Sequence, residues 1–169
     1  QDHWNARPDF PIMANAAKNG MPSMFIVSLP ITLNTSGGTA ASIWLHDMYG
    51  DAKLSLPNGR ALVNIFPKNG VLVAHNDDLF GYQETNYMRF ESHTRHFGWS
   101  KNYNPFSGVL PRNNDTIINF TQRRYQWIDK WLNKYFEVDF KRININGHGV
   151  GADAVVALIK QNPSYYAAA

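Results

Sequence analysis

Apolar runs separated by turn-forming segments recur along the chain and predict a series of strands. Strands are expected over "MFIVSLP" (24–30) and "KRININ" (141–146), where β-branched residues are frequent. Two further segments, "TAASIWLHD" (39–47) and "GVLVAHNDD" (70–78), are apolar or small almost throughout and end in polar residues. That pattern is typical of strands buried on both faces of a parallel sheet.

Two helices are predicted from the spacing of apolar positions. In segment 119–136, five residues recur at spacings of four, three, four and three, as on one helical face: Thr121, Tyr125, Ile128, Leu132 and Tyr135. Asn119 and Gln122 resemble a capping box at its start. A second helix is expected over about 151–161, with four residues directed inward: Ala154, Val155, Leu158 and Ile159. The alternation of strands and helices predicts an α/β fold.

Composition and charge narrow the classes of protein that the chain can belong to. The 169 residues are 44% hydrophobic, which suits one globular domain, expected over 24–169 after an irregular lead-in at 1–23. The net charge of +3 comes from scattered basic residues, so no nucleic-acid partner is expected. No apolar run is long enough to predict a membrane span.

Residues that bind metals or carry redox chemistry form no recognisable motif. The chain has no cysteine, which excludes disulfides, thiolate catalysis and cysteine metal sites. His93 and His96 are three residues apart, but a metal site needs a third ligand, and loop-packing histidines are the simpler interpretation. We therefore expect neither a metal nor a cofactor.

Three glycosylation sequons and the first residue bear on localisation. The sequons begin at Asn34, Asn114 and Asn119, and the chain starts with Gln1 rather than Met. Together these features predict a secreted or extracytoplasmic protein.

The stretch "INGHGVGADAVV" (145–156) combines a β-run, a glycine-rich turn and a helix of small residues. It resembles the nucleophile elbow of α/β-hydrolases of the secreted esterase and prolyl-oligopeptidase-like kind. In such an elbow Gly147 and Gly151 are the flanking glycines, because a Cβ there would collide with neighbouring backbone.

The same resemblance assigns roles to the residues of the turn. His148 precedes the nucleophile, and Val150 supplies an amide that stabilises the oxyanion. Gly149 occupies the position of the nucleophilic serine, so this sequence has no hydroxyl there.

An earlier segment, "ASIWLHDMYGDA" (41–52), resembles the strand and oxyanion loop of the same family. His46 and Gly50 match the family pattern, whereas Asp47 stands where glycine is usual. The resemblance places Asp47 and Met48 at the oxyanion site. A carboxylate there opposes the charge that develops in the transition state, unless it points away.

The resemblance covers about residues 24–169 and implies a mostly parallel, α/β-hydrolase-like sheet with flanking helices. In this family the catalytic acid and histidine come later in the chain. We therefore expect the N-terminal portion of the domain only, with the remaining part supplied as another segment or chain.

Three functions remain open at this point. The first is a catalytically impaired hydrolase relative, a pseudoenzyme that keeps a binding role for a small-molecule ester or peptide-like ligand, or a structural role. The second is an active secreted serine hydrolase of carboxylic esters, in which Gly149 is misassigned or engineered. The third is a scaffold or assembly subunit.

Further candidates for substrate contact lie at predicted strand ends and in an aromatic segment. Parallel sheets place ligands at the carboxyl ends of their strands. The segment "HFGWSKNYNPFSG" (96–108) could form a stacking wall or pack on itself. The candidates are His46, His75, Asp77, Asp78, His96 and Trp99.

Overall fold

The structure is a computed structural model that describes residues 24–33, 35–48, 50–56, 65, 67–77, 93–100 and 112–169. The predicted lead-in at 1–23, the sequon residue Asn34 and the candidate Asp78 lie outside the described residues. The described residues fall into two compact units. One lies within Asp77–Trp127, and the other, here called the sheet unit, consists of Met24–Asn76 and Ile128–Ala169.

The described residues form six strands and two helices, and the four strands and two helices predicted from the apolar pattern are among them. In chain order they are β1 (Phe25–Ser28), β2 (Thr39–Leu45), β3 (Gly70–His75), β4 (Trp99–Ser100), β5 (Ile117–Ile118), α1 (Phe120–Phe136), β6 (Val138–Gly147) and α2 (Val150–Gln161). The predicted strands over 24–30, 39–47, 70–78 and 141–146 and both predicted helices are confirmed. Strand β6 begins three residues before the predicted start, at Val138.

The sheet unit contains a four-stranded sheet in the order β1-β3-β2-β6. Strand β2 is parallel to both β3 and β6, whereas the edge strand β1 is antiparallel to β3. Beyond β6, Ala168 forms a parallel bridge with Asn144. The prediction of a mostly parallel sheet is therefore confirmed.

The core of the sheet unit lies around the two central strands. All six residues of β3 are buried, as are the last three of β2. Helix α2 packs against β6 and β2 and buries Ala154, Val155 and Leu158, whereas Ile159 is only partly buried. The apolar runs are long because these strands are covered on both faces.

Helix α1 differs from the prediction in its last turn and in its cap. Thr121, Tyr125, Ile128 and Leu132 are buried as expected, but Tyr135 is 54% exposed. The Tyr135 ring instead packs beside Trp131, with the ring centroids 5.1 Å apart. The predicted capping box is wrong, since the buried Gln122 side-chain amide forms no hydrogen bond with Asn119 or with any other described residue.

Strands β4 and β5 pair antiparallel within the Asp77–Trp127 unit, with Trp99 opposite Ile118. Neither of these two-residue strands was among the strands predicted from the sequence. In the part of the chain that the structure describes, no helix has the length and apolar character needed to cross a membrane.

Candidate functional site

The turn between β6 and α2 is tight because its glycines touch backbone. Strand β6 ends at Gly147 and helix α2 begins at Val150. A Cβ on Gly147 would lie 2.4 Å from the Gly151 carbonyl, and a Cβ on Gly151 would lie 2.1 Å from the Leu45 carbonyl oxygen. Neither position has room for a side chain, so the two glycines let the start of α2 approach the end of β2.

Gly149 has a backbone conformation that only glycine adopts without strain. Its φ is 55° and its ψ is −121°, in the left-handed half of φ/ψ space. The residue is exposed to solvent. The amide of His148 donates to the Leu45 carbonyl at 3.2 Å, which ties the turn to β2.

The sheet register brings Asp47 to this turn. Leu45 is directly opposite Gly147 in the parallel pair β2–β6. The carboxylate oxygen Oδ1 of Asp47 accepts hydrogen bonds from the Met48 amide at 2.7 Å and from the Val150 amide at 3.1 Å. One carboxylate oxygen thus joins the amides of two residues, Met48 and Val150, that the resemblance places at the oxyanion site.

Asp47 also occupies the space beside Gly149. A Cβ on Gly149 would lie 2.1 Å from Oδ1 of Asp47 and 2.4 Å from its Cγ. Atoms cannot approach so closely, so a side chain at position 149 requires Asp47 to move. The carboxylate therefore points into the predicted oxyanion position and not away from it.

The charge of Asp47 is stabilised where it lies. Burial raises the pKa of its carboxyl group. The amides of Val150 and Met48, together with His148 and His46, lower the pKa by more than burial raises it, so the pKa is below its ordinary value. His148 Nδ1 lies 3.8 Å from Asp47 Oδ2, and the two side chains are 45% and 30% exposed. Asp47 is thus a carboxylate at neutral pH, and its hydrogen bonds are charge-assisted.

Two neighbours hold the main chain of Asp47. The buried His46 ring has Nδ1 at 2.6 Å from the Asp47 carbonyl oxygen, and the Gly50 amide donates to the same oxygen at 2.8 Å. Because a carbonyl oxygen only accepts, Nδ1 of His46 carries the proton. The structure therefore places His46 as a support for Asp47.

At the end of β3, the predicted candidate His75 lies in the core of the sheet unit. Its ring is buried and lies 6.4 Å from the Phe25 ring, centroid to centroid. In the next residue, Asn76, the side-chain oxygen accepts a hydrogen bond from the Ala52 amide at 3.4 Å. Its main-chain amide donates to the Met24 carbonyl at 3.0 Å. Asn76 was not among the residues predicted from the sequence, although its position directly after an apolar strand was an available signal.

Within the other unit, Asp77 shapes a loop. Its Oδ2 accepts from the His96 amide at 2.6 Å, and its Oδ1 accepts from the Thr94 hydroxyl. Arg95 and His96 have φ values of 52° and 54°, which non-glycine residues rarely adopt. The Asp77 carboxylate therefore holds two consecutive residues in a left-handed conformation.

The candidates His96 and Trp99 lie in the same unit as Asp77. His96 is 1% exposed, and its Nδ1 lies 2.5 Å from the Tyr125 hydroxyl. Burial raises the pKa of Tyr125 well above its ordinary value, so its hydroxyl stays protonated. Trp99, in β4, is partly exposed. Among the described residues, no three or more potential metal ligands come together.

The sequon residues Asn114 and Asn119 differ in accessibility. Asn114 is exposed, whereas Asn119 is only partly exposed. Thr121, the third residue of the sequon that begins at Asn119, is fully buried in α1.

A buried carboxyl group in α1 was not predicted from the sequence. Asp129 has no exposed surface. Burial raises its pKa to about 8, and the Tyr165 side chain opposes that rise only in part. Asp129 is therefore mostly neutral at pH 7.

Comparison with known proteins identifies the fold. No protein-family model matches the sequence, and no curated protein matches it. Among solved structures, the chain is similar to an S-formylglutathione hydrolase from Agrobacterium tumefaciens, with 12% identity and a TM-score of 0.58 over 91% of this chain and 52% of that one. It also matches a thermostable esterase, with 15% identity and a TM-score of 0.46 over 85% of this chain and 35% of that one.

The likeness to the first of these structures shows an α/β-hydrolase fold. The chain spans about half the length of that hydrolase.

Proposed function

We propose that this chain is an α/β-hydrolase-fold protein of esterase- or peptidase-like lineage whose nucleophile elbow has no nucleophile. The β6–α2 turn supports the proposal, since its two glycines leave no room for a Cβ and Gly149 has a positive φ. A nucleophile elbow needs both features. In this lineage the missing side chain at position 149 is the one that attacks the carbonyl carbon of an ester or amide.

The observation that carries the proposal is the position of the Asp47 carboxylate. In a serine hydrolase, the amide after the nucleophile and an amide from the loop after an earlier strand stabilise the oxyanion. Here the corresponding amides, of Val150 and Met48, both donate to Asp47 Oδ1. A negative charge already bound there excludes the oxyanion and repels charge developing nearby.

The two changes together remove most of the rate enhancement of such an enzyme. Loss of a serine nucleophile lowers turnover by roughly a millionfold. An enzyme without its triad keeps about a thousandfold to ten-thousandfold over water through its oxyanion hole and substrate binding. Loss of one oxyanion donor costs about a hundredfold to a thousandfold. With both donors engaged by Asp47, little of the remaining enhancement is expected.

A binding or structural role is the function that we propose in place of hydrolysis. His148 and Gly149 are exposed at the turn, so a small ester or peptide-like molecule can reach it. The exposed sequon residue Asn114 supports the proposal that the chain follows a secretory route.

An active esterase would need serine at position 149. The space for its Cβ is occupied by Asp47, with Oδ1 at 2.1 Å. A serine there is compatible with the rest of the turn only if the Asp47 side chain rotates away. The observed geometry thus favours the impaired function over the active one.

Hydrolysis of a short-chain p-nitrophenyl ester tests the proposal. The folded protein is expected to hydrolyse the ester no faster than the same chain unfolded in urea, and the variant His148→Ala is expected to match it. Determining the codon for residue 149 from the source gene completes the test. Saturable turnover by the folded protein, or a serine codon, would overturn the proposal.

A further inference from the structure

Asp47 binds to its own chain as an external carboxylate would bind to a receptor. Its Oδ1 accepts from two backbone amides at 2.7 and 3.1 Å, and the donors belong to segments that are distant in sequence. One is the amide of Met48, after β2, and the other is the amide of Val150, the first residue of α2. Amides at a helix N-terminus carry partial positive charge and favour anions.

We propose that the amides of Met48 and Val150 form a carboxylate-binding site whose resident ligand is the side chain of Asp47. When that side chain is removed, a small external carboxylate such as acetate takes its place. The inference rests on the function proposed above in one respect, since these amides are the ones assigned to oxyanion binding. It adds the chemical class of the ligand and the reason why the native site is closed to it.

The tether explains why the native site excludes other anions. Asp47 is adjacent in sequence to one donor, and its carbonyl is held by His46 Nδ1 at 2.6 Å and the Gly50 amide at 2.8 Å. Because Asp47 is held at the site, its carboxylate has no translational freedom to lose on binding, whereas a free carboxylate must lose it. Free carboxylates therefore compete poorly with it, and the native protein is expected to be insensitive to them.

Gly149 makes room for this internal ligand. The three atoms nearest to a Cβ built on Gly149 all belong to Asp47, at 2.1, 2.4 and 2.8 Å. Removal of the Asp47 carboxylate leaves a space bordered by the Gly149 backbone and both amides. That space matches a carboxylate, because the atoms removed are those of a carboxylate.

Chemical rescue of the variant Asp47→Ala tests the proposal. We expect this variant to melt at a lower temperature than the native protein in sodium chloride. Sodium acetate at equal ionic strength, at about 100 mM, should restore several degrees if acetate binds with an affinity of about 10 mM. The native protein should melt at the same temperature in both salts.

Asp51→Ala is the matched control. The Asp51 carboxylate also accepts from a backbone amide, that of Leu54 at 2.8 Å, but among the described residues this nearby amide is its one donor. Its melting temperature should fall without recovery in acetate. An equal acetate response in Asp47→Ala and Asp51→Ala would overturn the proposal.

A second measurement needs no variant and remains decisive if Asp47→Ala does not fold. In the native protein, NMR scalar couplings across hydrogen bonds should link the side-chain carboxyl carbon of Asp47 to the amide nitrogens of Met48 and Val150. Absence of the coupling to Val150 would overturn the proposal. Neither experiment measures catalysis. Ester turnover by the native protein would therefore contradict the proposed function, whereas the carboxylate-binding site is tested by the melting temperatures and the NMR couplings alone.

Discussion

Asp47 and Gly149 should be energetically coupled, because they compete for one space. In Gly149→Ala, the new Cβ would lie 2.1 Å from Asp47 Oδ1 and must displace it. The substitution also forces alanine into a φ of 55°, a strain of about 1–3 kcal/mol. The displaced carboxylate loses its hydrogen bonds to the two amides.

The size of each effect can be worked from these contacts. Hydrogen bonds to a charged group contribute about 1.5–3 kcal/mol each. The Asp47 side chain is 30% exposed, so we expect roughly 2 kcal/mol for the pair after solvent screening. Asp47→Ala should then lower the free energy of unfolding by about 2 kcal/mol, and Gly149→Ala by about 4, from contact and strain together.

The double variant reveals the coupling. Because the Asp47 contact can be lost only once, Asp47→Ala/Gly149→Ala should also lose about 4 kcal/mol, roughly 2 less than the sum of the single variants. Urea unfolding of all four proteins, followed by circular dichroism and tryptophan fluorescence, measures these free energies. Additivity within about 0.5 kcal/mol would refute the shared-space argument.

Three further predictions concern other parts of the described structure. Because burial raises the pKa of Asp129 to about 8, above the value of about 3.9 in an unfolded chain, the free energy of unfolding should fall as pH rises from about 4 to about 8. Urea unfolding should show that Asp129→Asn flattens this slope, and parallel slopes would contradict the assignment. Gly151→Ala, with its Cβ 2.1 Å from a backbone oxygen, should lose about 3 kcal/mol or fail to fold. Gly37→Ala, with φ of 77° and no atom of the described residues within 4 Å of its Cβ, should lose only about 1 kcal/mol, and equal thermal shifts would refute the steric argument. Asp77→Ala removes the hydrogen bonds that fix the loop around Arg95. Trypsin should therefore cut after Arg95 faster than in the native protein, and unchanged cleavage would show that Asp77 does not fix this loop.

The sequence predicted the elements of the sheet unit because their patterns are local. Strands β2 and β3 are apolar or small almost throughout, and α1 and α2 repeat apolar residues at helical spacing. The antiparallel direction of β1 was not predictable in this way, because a short strand has the same composition in either direction. Tyr135 was placed wrongly because it lies in the last turn of α1, where the helical face leaves the core.

At the candidate site, the backbone was predictable and the side-chain positions were not. The glycines at positions 147 and 151 form a short motif that is visible in the sequence. The structure shows that both positions exclude a Cβ, Gly147 because of the start of α2 and Gly151 because of the end of β2. The direction of the Asp47 side chain depends on the register of β2 against β6, which joins residues about a hundred positions apart. The buried Asp129 carries no sequence signal that distinguishes it from an exposed acid.

Treatment of the folded protein with a fluorophosphonate probe, read by intact mass spectrometry, tests the central claim most directly. The probe forms a covalent bond with an activated serine and reports on the chemistry at position 149. We predict an unchanged mass, because Gly149 has no hydroxyl and Asp47 occupies the amides of Met48 and Val150. One probe adduct per chain, located on the β6–α2 turn and absent after unfolding, would contradict the account.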